Sequence, residues 1–304
     1  MHHVDHLAAA ADAGHPDLFI KYLHWARTLL KSYNVHPGDL DVQLETLSDV
    51  IAAQISPPDV ACHVTGIIKT ALSALPGNSV SEEVVCRPAE LSALARAYLD
   101  CLLRQDTDQA IELVSAAASS GIPLKTLYLD VVQTVQHEVG RLWQSNQISV
   151  AQEHYSTSVA QTILGHLYTM IPKPLQPANR TAVCACISNE QHDLGMRIVS
   201  DFLYMSGWKS LYLGSNTPTD AIIAAIRHHN PQLLALSVTS LPHLQQLKSL
   251  VERVRQEPAP DLKIIVGGYP FNVSPELWTK VGADGHARDA NGAAEWANEK
   301  FPEF

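Results

Sequence analysis

Apolar residues recur at helical spacing through the first part of the chain and in short continuous runs through the second. Phe19, Tyr22, Ala26, Leu29 and Tyr33 fall three or four positions apart, the spacing that puts side chains on one face of a helix. Pro37-Gly38 punctuates the end of that helix. Leu40, Leu44, Leu47 and Ile51 repeat the period, Pro57-Pro58 breaks it, and another apolar helix leads to Pro76-Gly77-Asn78. Residues 1–80 therefore read as an N-terminal helical extension.

Residues 85–170 read as a four-helix bundle. Pro88 suits a first helical turn, and Leu91, Leu94, Tyr98 and Leu102 form one stripe. Asp106 or Thr107 is placed to cap the next helix, which stops at Gly121. The third helix starts near Pro123 and carries Leu124, Leu127, Val131, Val135, Val139 and Leu142 toward Trp143. The fourth runs from near Ser149 to Met170, and the short connections imply antiparallel neighbours.

Residues 171–180, IPKPLQPANR, form a proline-rich linker without periodicity. Beyond it the period changes. Strands are expected over 182–187, 210–213, 233–238 and 262–266, with helices near 194–206, 218–229, 241–256 and 274–281. A fifth short strand over 285–287 and a last helix near 291–300 complete the pattern. Continuous apolar strands alternating with helices specify a parallel sheet covered on both faces. The whole chain is thus expected to be α + α/β, ending in a Rossmann-like domain over 181–304. Five strands favour the flavodoxin-like order 2-1-3-4-5, with ligand at their carboxyl ends.

Composition narrows the function classes. At 304 residues, with 46% hydrophobic and 17% charged residues, the chain is globular. A formal charge of −10 and the lack of a clustered Lys/Arg face argue against direct nucleic-acid binding. No apolar run is long enough to span a membrane, and the N-terminus lacks a signal-peptide core. The five scattered cysteines suggest a reducing cytoplasm. Cys184-x-Cys186 shares one strand face, as small core residues or as two thiolates for a metal.

Candidate chemistry gathers where the first of these strands ends. Glu190-x-His192-x-x-Gly195 fills the loop and the first turn of the following helix. A neutral His192 can offer an imidazole nitrogen to a transition metal, while an acidic neighbour holds the other ring nitrogen. Glu190 and Asp193 are rivals for that role. Gly195 would let the helix begin close beneath a bulky ligand. Ser237-Val238-Thr239 ends the third strand and Gly267-Gly268 the fourth, as routine strand ends or as the border of a slot.

This set resembles the cobalamin-binding Rossmann-like domain shared by methionine synthase, corrinoid mutases and B12-dependent photoreceptors, over about 180–300. The resemblance implies base-off B12 with His192 as the lower axial cobalt ligand. The displaced dimethylbenzimidazole tail would then enter a slot near Ser237, Thr239, Gly267 and Gly268. Glu190, where many members have Asp, agrees with the photoreceptor branch.

Upstream, Trp143 is followed after nine residues by Glu153-His154. Taken alone, these read as a core anchor and a solvated charge, or as residues facing one cavity. With the domain that follows, the spacing resembles the helical cap of CarH/LitR-type B12 photoreceptors. That implies an upper-face 5′-deoxyadenosyl group enclosed by Trp143 and Glu153, with His154 shaping the pocket, and Co–C cleavage in light. Two departures stand out: those receptors have histidine directly after the tryptophan, where this chain has Gln144, and residues 1–80 do not resemble their MerR-type DNA-binding domain. The aromatic helical stretch there, with Phe19, Tyr22, Trp25 and Tyr33, instead resembles the extension of photocobilins, which implies biliverdin as a second chromophore.

The expected protein is a cytoplasmic light sensor using adenosylcobalamin, and not an enzyme. Its output would be a light-dependent change in homo-oligomer assembly or in binding of a protein effector. The alternative is a corrinoid carrier protein serving a methyltransferase.

Overall fold

The computed structural model describes residues 2–75, 91–172 and 179–302. The expected helix end at Pro76-Gly77-Asn78, the start at Pro88, the boundary between 80 and 85 and linker residues 173–178 lie outside the described residues. The chain divides into two compact units, Met1–Met170 and Ile171–Phe304.

The first unit is helical. It opens with α1 (His2–Ala13), α2 (Pro16–Ser32), α3 (Pro37–Gln54) and α4 (Pro58–Ala74). The last three each begin on proline, whose missing N–H would have no helical partner in the first turn anyway. Pro37-Gly38 thus starts a helix instead of ending one: the His36 imidazole accepts the Gly38 amide at 3.1 Å as cap. The α1 helix falls where no amphipathic pattern was evident; its alanines supply intrinsic propensity in place of a stripe. Leu7, Phe19, Leu23, Leu44 and Ile68 are buried among these helices.

The bundle follows as α5 (Ala93–Leu103), α6 (Thr107–Ser119), α7 (Leu124–Thr126), a π-helical segment over Leu127–Gln133, α8 (Thr134–Gln144) and α9 (Val150–Thr169). Asp106 caps α6 by accepting the Gln109 amide at 3.1 Å. Ser92, one residue past Leu91, caps α5 in the same way. In the wider π turn the Thr134 hydroxyl reaches back to the Leu129 carbonyl at 2.8 Å. The stripe Leu127, Val131, Val135, Val139 and Leu142 is buried through it. A reciprocal capping box between Ser149 and Gln152 sets the start of α9.

In the second unit a parallel sheet has the order β2-β1-β3-β4-β5. Its strands are β1 (Thr181–Ile187), β2 (Lys209–Thr217), β3 (Leu233–Ser237), β4 (Lys263–Gly267) and β5 (Gly285–His286). The helices are α10 (Leu194–Met205), α11 (Thr219–His229), α12 (Leu244–Val254), α13 (Tyr269–Val273), α14 (Leu277–Lys280) and α15 (Ala290–Lys300). A 3-10 turn, Leu241–His243, precedes α12, and the helix expected over 274–281 is reduced to α14. β2 outruns the expected strand, continuing past Gly214 (φ 89°) with two register irregularities against β1. Cys184 and Cys186 are fully buried with Trp208 and Leu203, as core residues. Burial pushes the Cys184 thiol up to about 12, so it is uncharged.

Candidate functional site

Successive strands of a parallel sheet deliver their carboxyl ends to one edge, and here that edge collects polar loops. Cys186 of β1 pairs with Ser237 of β3, which pairs with Gly267 of β4. The loop after β1 turns at Asn189, in the left-handed region at φ 66°. Its amide donates to Asn216 Oδ1 at 2.7 Å, and the Asn216 amide donates to the Glu190 carbonyl at 2.8 Å. The end of β2 therefore braces the loop from one side.

Glu190 braces it from the other. Its carboxylate is fully buried, and both oxygens are engaged. Oε1 accepts the His192 amide at 3.0 Å and lies 2.6 Å from His192 Nδ1. Oε2 accepts the Thr239 amide at 2.6 Å and the Ser240 amide at 3.2 Å, with His243 Nδ1 at 3.4 Å. Burial opposes the charge, yet the hydrogen bonds from the His192 ring and amide and from the Thr239 amide prevail and hold the carboxyl down at about 2. An ionised Glu190 favours a proton on His192 Nδ1, and in the neutral ring that leaves the lone pair on Nε2. The His192 side chain is 70% exposed while its partner is 1% exposed.

Asp193, the rival acid, is placed elsewhere. It sits at the N-cap of α10 and accepts the Tyr212 hydroxyl at 2.9 Å. Burial, followed by the nearby Asp193 charge, drives the Tyr212 phenol well above its ordinary range. Gly195 lies in the first turn of α10, and a Cβ there would meet no protein atom within 4 Å. Gly268 is the opposite case: at φ 107° its Cβ would stand 1.9 Å from the Val238 carbonyl oxygen. The third and fourth strand ends are thus pressed together, and the Val238 amide donates to the Gly267 carbonyl at 3.1 Å. Ser237 is buried, and Thr239 serves the site through its backbone amide.

In the helical unit, Trp143 is half-buried at the end of α8, its ring centroid 6.5 Å from that of Trp25. Gln144 is buried, and its Nε2 donates to the Trp25 carbonyl at 3.1 Å. Glu153 stands in the first turn of α9 between two partners, His154 Nδ1 at 2.6 Å and the Thr157 hydroxyl at 3.0 Å. His154 is 76% exposed.

Known proteins match both units of the chain. A family model described as B12 binding domain matches residues 180–295, and a second with the same description matches residues 94–168. This is a cobalamin-binding protein. The HTH-type transcriptional repressor CarH of Myxococcus xanthus is 27% identical over 146 residues, 48% of this chain and 48% of the repressor, so the chain spans about half of that relative. Monomethylamine corrinoid protein 2 of Methanosarcina acetivorans is 25% identical over 203 residues, 65% of this chain and 93% of the relative. The solved monomethylamine corrinoid protein of Methanosarcina barkeri shares the fold, with a TM-score of 0.59 at 22% identity over 67% of this chain and 96% of that one.

The residues of this cobalamin-binding protein fit the group. Cobalt arrives inside a macrocycle, so one axial donor from the protein suffices, and a carboxylate-oriented imidazole is a suitable donor. Among the described residues no cluster of three or more His, Cys, Asp or Glu could hold a bare ion. Sequence reasoning overlooked Asn189, Asn216, Ser240, Tyr212 and His243. The two asparagines, Asn189 in a turn and Asn216 near the end of β2, share a left-handed backbone that asparagine tolerates, which is a local signal; the other three are recognisable only once β1, β2 and β3 lie side by side.

Proposed function

We propose that the protein is a light sensor that uses adenosylcobalamin, with His192 as lower axial ligand. The observation that carries the cobalamin part is the buried Glu190 carboxylate holding an exposed His192 at the strand ends. When bound, adenosylcobalamin supplies a light-labile bond between cobalt and carbon. Ser237, Thr239, Gly267 and Gly268 border the nucleotide-tail slot in this reading. Trp143 and Glu153 would be the residues that hold the adenosyl group, with His154 helping to shape their pocket. Support for the sensor comes from the Trp143-x9-Glu153-His154 spacing together with the CarH relationship. Gln144 is committed to the Trp25 carbonyl, so the position after Trp143 would offer the cofactor an amide and not an imidazole.

The output is a change of self-association or of binding to a protein effector in the cytoplasm, with no catalysis by the chain itself. It requires contacts that differ between the dark and lit states. The N-terminal helices hold biliverdin as a second chromophore in this reading, which extends absorption to longer wavelengths.

A corrinoid carrier for a methyltransferase is the second reading, favoured by the match over 93% of a methylamine corrinoid protein. Protein loaded with adenosylcobalamin in darkness and then exposed to green light separates the two. A sensor changes its absorption spectrum and releases an adenosine product; an unchanged spectrum removes the sensor and leaves the carrier. Adding biliverdin should produce a bound red-absorbing species, and without one the second chromophore is withdrawn.

A further inference from the structure

The helical unit contains an aromatic ladder that ends at Trp143. From there the ring centroids run 6.5 Å to Trp25 and a further 6.2 Å to Tyr22, which stacks on Phe19 at 6.1 Å. These spacings lie within the roughly 4.5–7 Å range of interacting aromatic pairs, short steps for an electron to hop. The alignment is pinned by backbone: Gln144 Nε2 donates to the Trp25 carbonyl, and Asn146 Nδ2 donates to the Ser32 carbonyl at 3.3 Å, tying α2 to the end of α8. At the far end Tyr22 Oη lies 2.9 Å from His3 Nδ1, and the His6 ring stacks on the phenol at 3.6 Å and 8°. Burial, aided by the Asp5 charge, raises the Tyr22 phenol to about 12. The phenol is therefore neutral at ordinary pH and must shed its proton when it is oxidised.

We propose that Trp143, Trp25 and Tyr22 form an electron relay, with His3 as proton acceptor, that delivers one electron to an oxidant beside Trp143. The oxidant is of the class of light-excited metal macrocycles; it gains one electron and is reduced by one unit. The indole of Trp143 loses that electron and regains it from Trp25, which regains it from Tyr22. The Tyr22 O–H bond breaks, its proton passes to His3 Nδ1, and the hole remains as a neutral tyrosyl radical. This goes beyond the light-sensor reading, which supplies only the identity of the oxidant.

Cofactor-free protein tests the relay separately from that reading. A ruthenium polypyridyl photo-oxidant is attached at the exposed turn residue in a Gln147→Cys variant whose Cys62 and Cys86 are replaced by serine. Flash oxidation with a soluble electron acceptor is followed by transient absorption and electron paramagnetic resonance. The expected result is a tryptophanyl signal that decays into a tyrosyl radical. Tyr22→Phe should leave the hole on tryptophan, Trp25→Phe should abolish the tyrosyl signal, and His3→Ala should suppress its formation. Circular dichroism checks that each variant is folded; a fluorinated tyrosine at position 22, which keeps the ring and shifts the radical spectrum, stands in for any that is not. A tyrosyl radical that survives Tyr22→Phe, an unchanged yield in Trp25→Phe, or no tyrosyl radical in the parent chain overturns the proposal.

Discussion

A buried carboxylate is costly unless its lone pairs are met, and Glu190 satisfies that condition from two loops at once. Glu190→Ala strands the half-buried Thr239 and Ser240 amides, at up to about 1–3 kcal/mol for each one left unmet, and frees the exposed His192 ring. Chemical denaturation of the cofactor-free protein should show this as a lowered midpoint. The carboxyl drops from 4.5 unfolded to about 2 folded, so its stabilisation is fully present above roughly pH 4.5 and is lost as pH falls toward 2. The stability gap between the parent and Glu190→Gln should narrow across that window. In the cobalamin-loaded protein, His192→Ala should remove the lower-ligand spectral signature; a signature that persists means another donor holds the metal. Spacing alone left Glu190 and Asp193 as equals, because two and one residues from His192 are both within reach. Tyr212, on another strand, takes Asp193 and so decides between them.

At the scale of elements, the glycines of the site separate into two kinds. Gly268→Ala forces a side chain into a left-handed backbone against the Val238 carbonyl, and the strain alone is worth about 1–3 kcal/mol. Its melting temperature should fall sharply even without cofactor. Gly195→Ala meets open space and gains helix propensity worth up to about 1 kcal/mol. That variant should melt no lower than the parent while binding cobalamin more weakly, as equilibrium titration would show. The parallel strands were legible because apolar runs bounded by turns have few alternatives. Pro37-Gly38 was misread because proline and glycine mark helix starts and ends alike, and here the His36 cap decides which. The π turn over Leu127–Gln133 left no mark on the stripe, since the same side chains are buried with or without it.

For the molecule as a whole, the sensor reading predicts that sedimentation of the adenosylcobalamin-loaded protein differs between darkness and green light, and that His192→Ala abolishes the difference. Identical profiles would move the output from self-association to an effector. The sequence by itself determined the α + α/β class and the strand order, and it offered His192 as a candidate metal donor. Each rests on local periodicity or on motifs a few residues long, and a parallel sheet brings strand ends together whatever the loops contain. Tertiary structure decided which acid holds His192, that Gln144 is tied to α2, and that Trp25 stands next to Trp143. Those contacts join residues as far as 119 positions apart. They are set by how helices and strands pack in space, which the local pattern of apolar and polar residues does not encode.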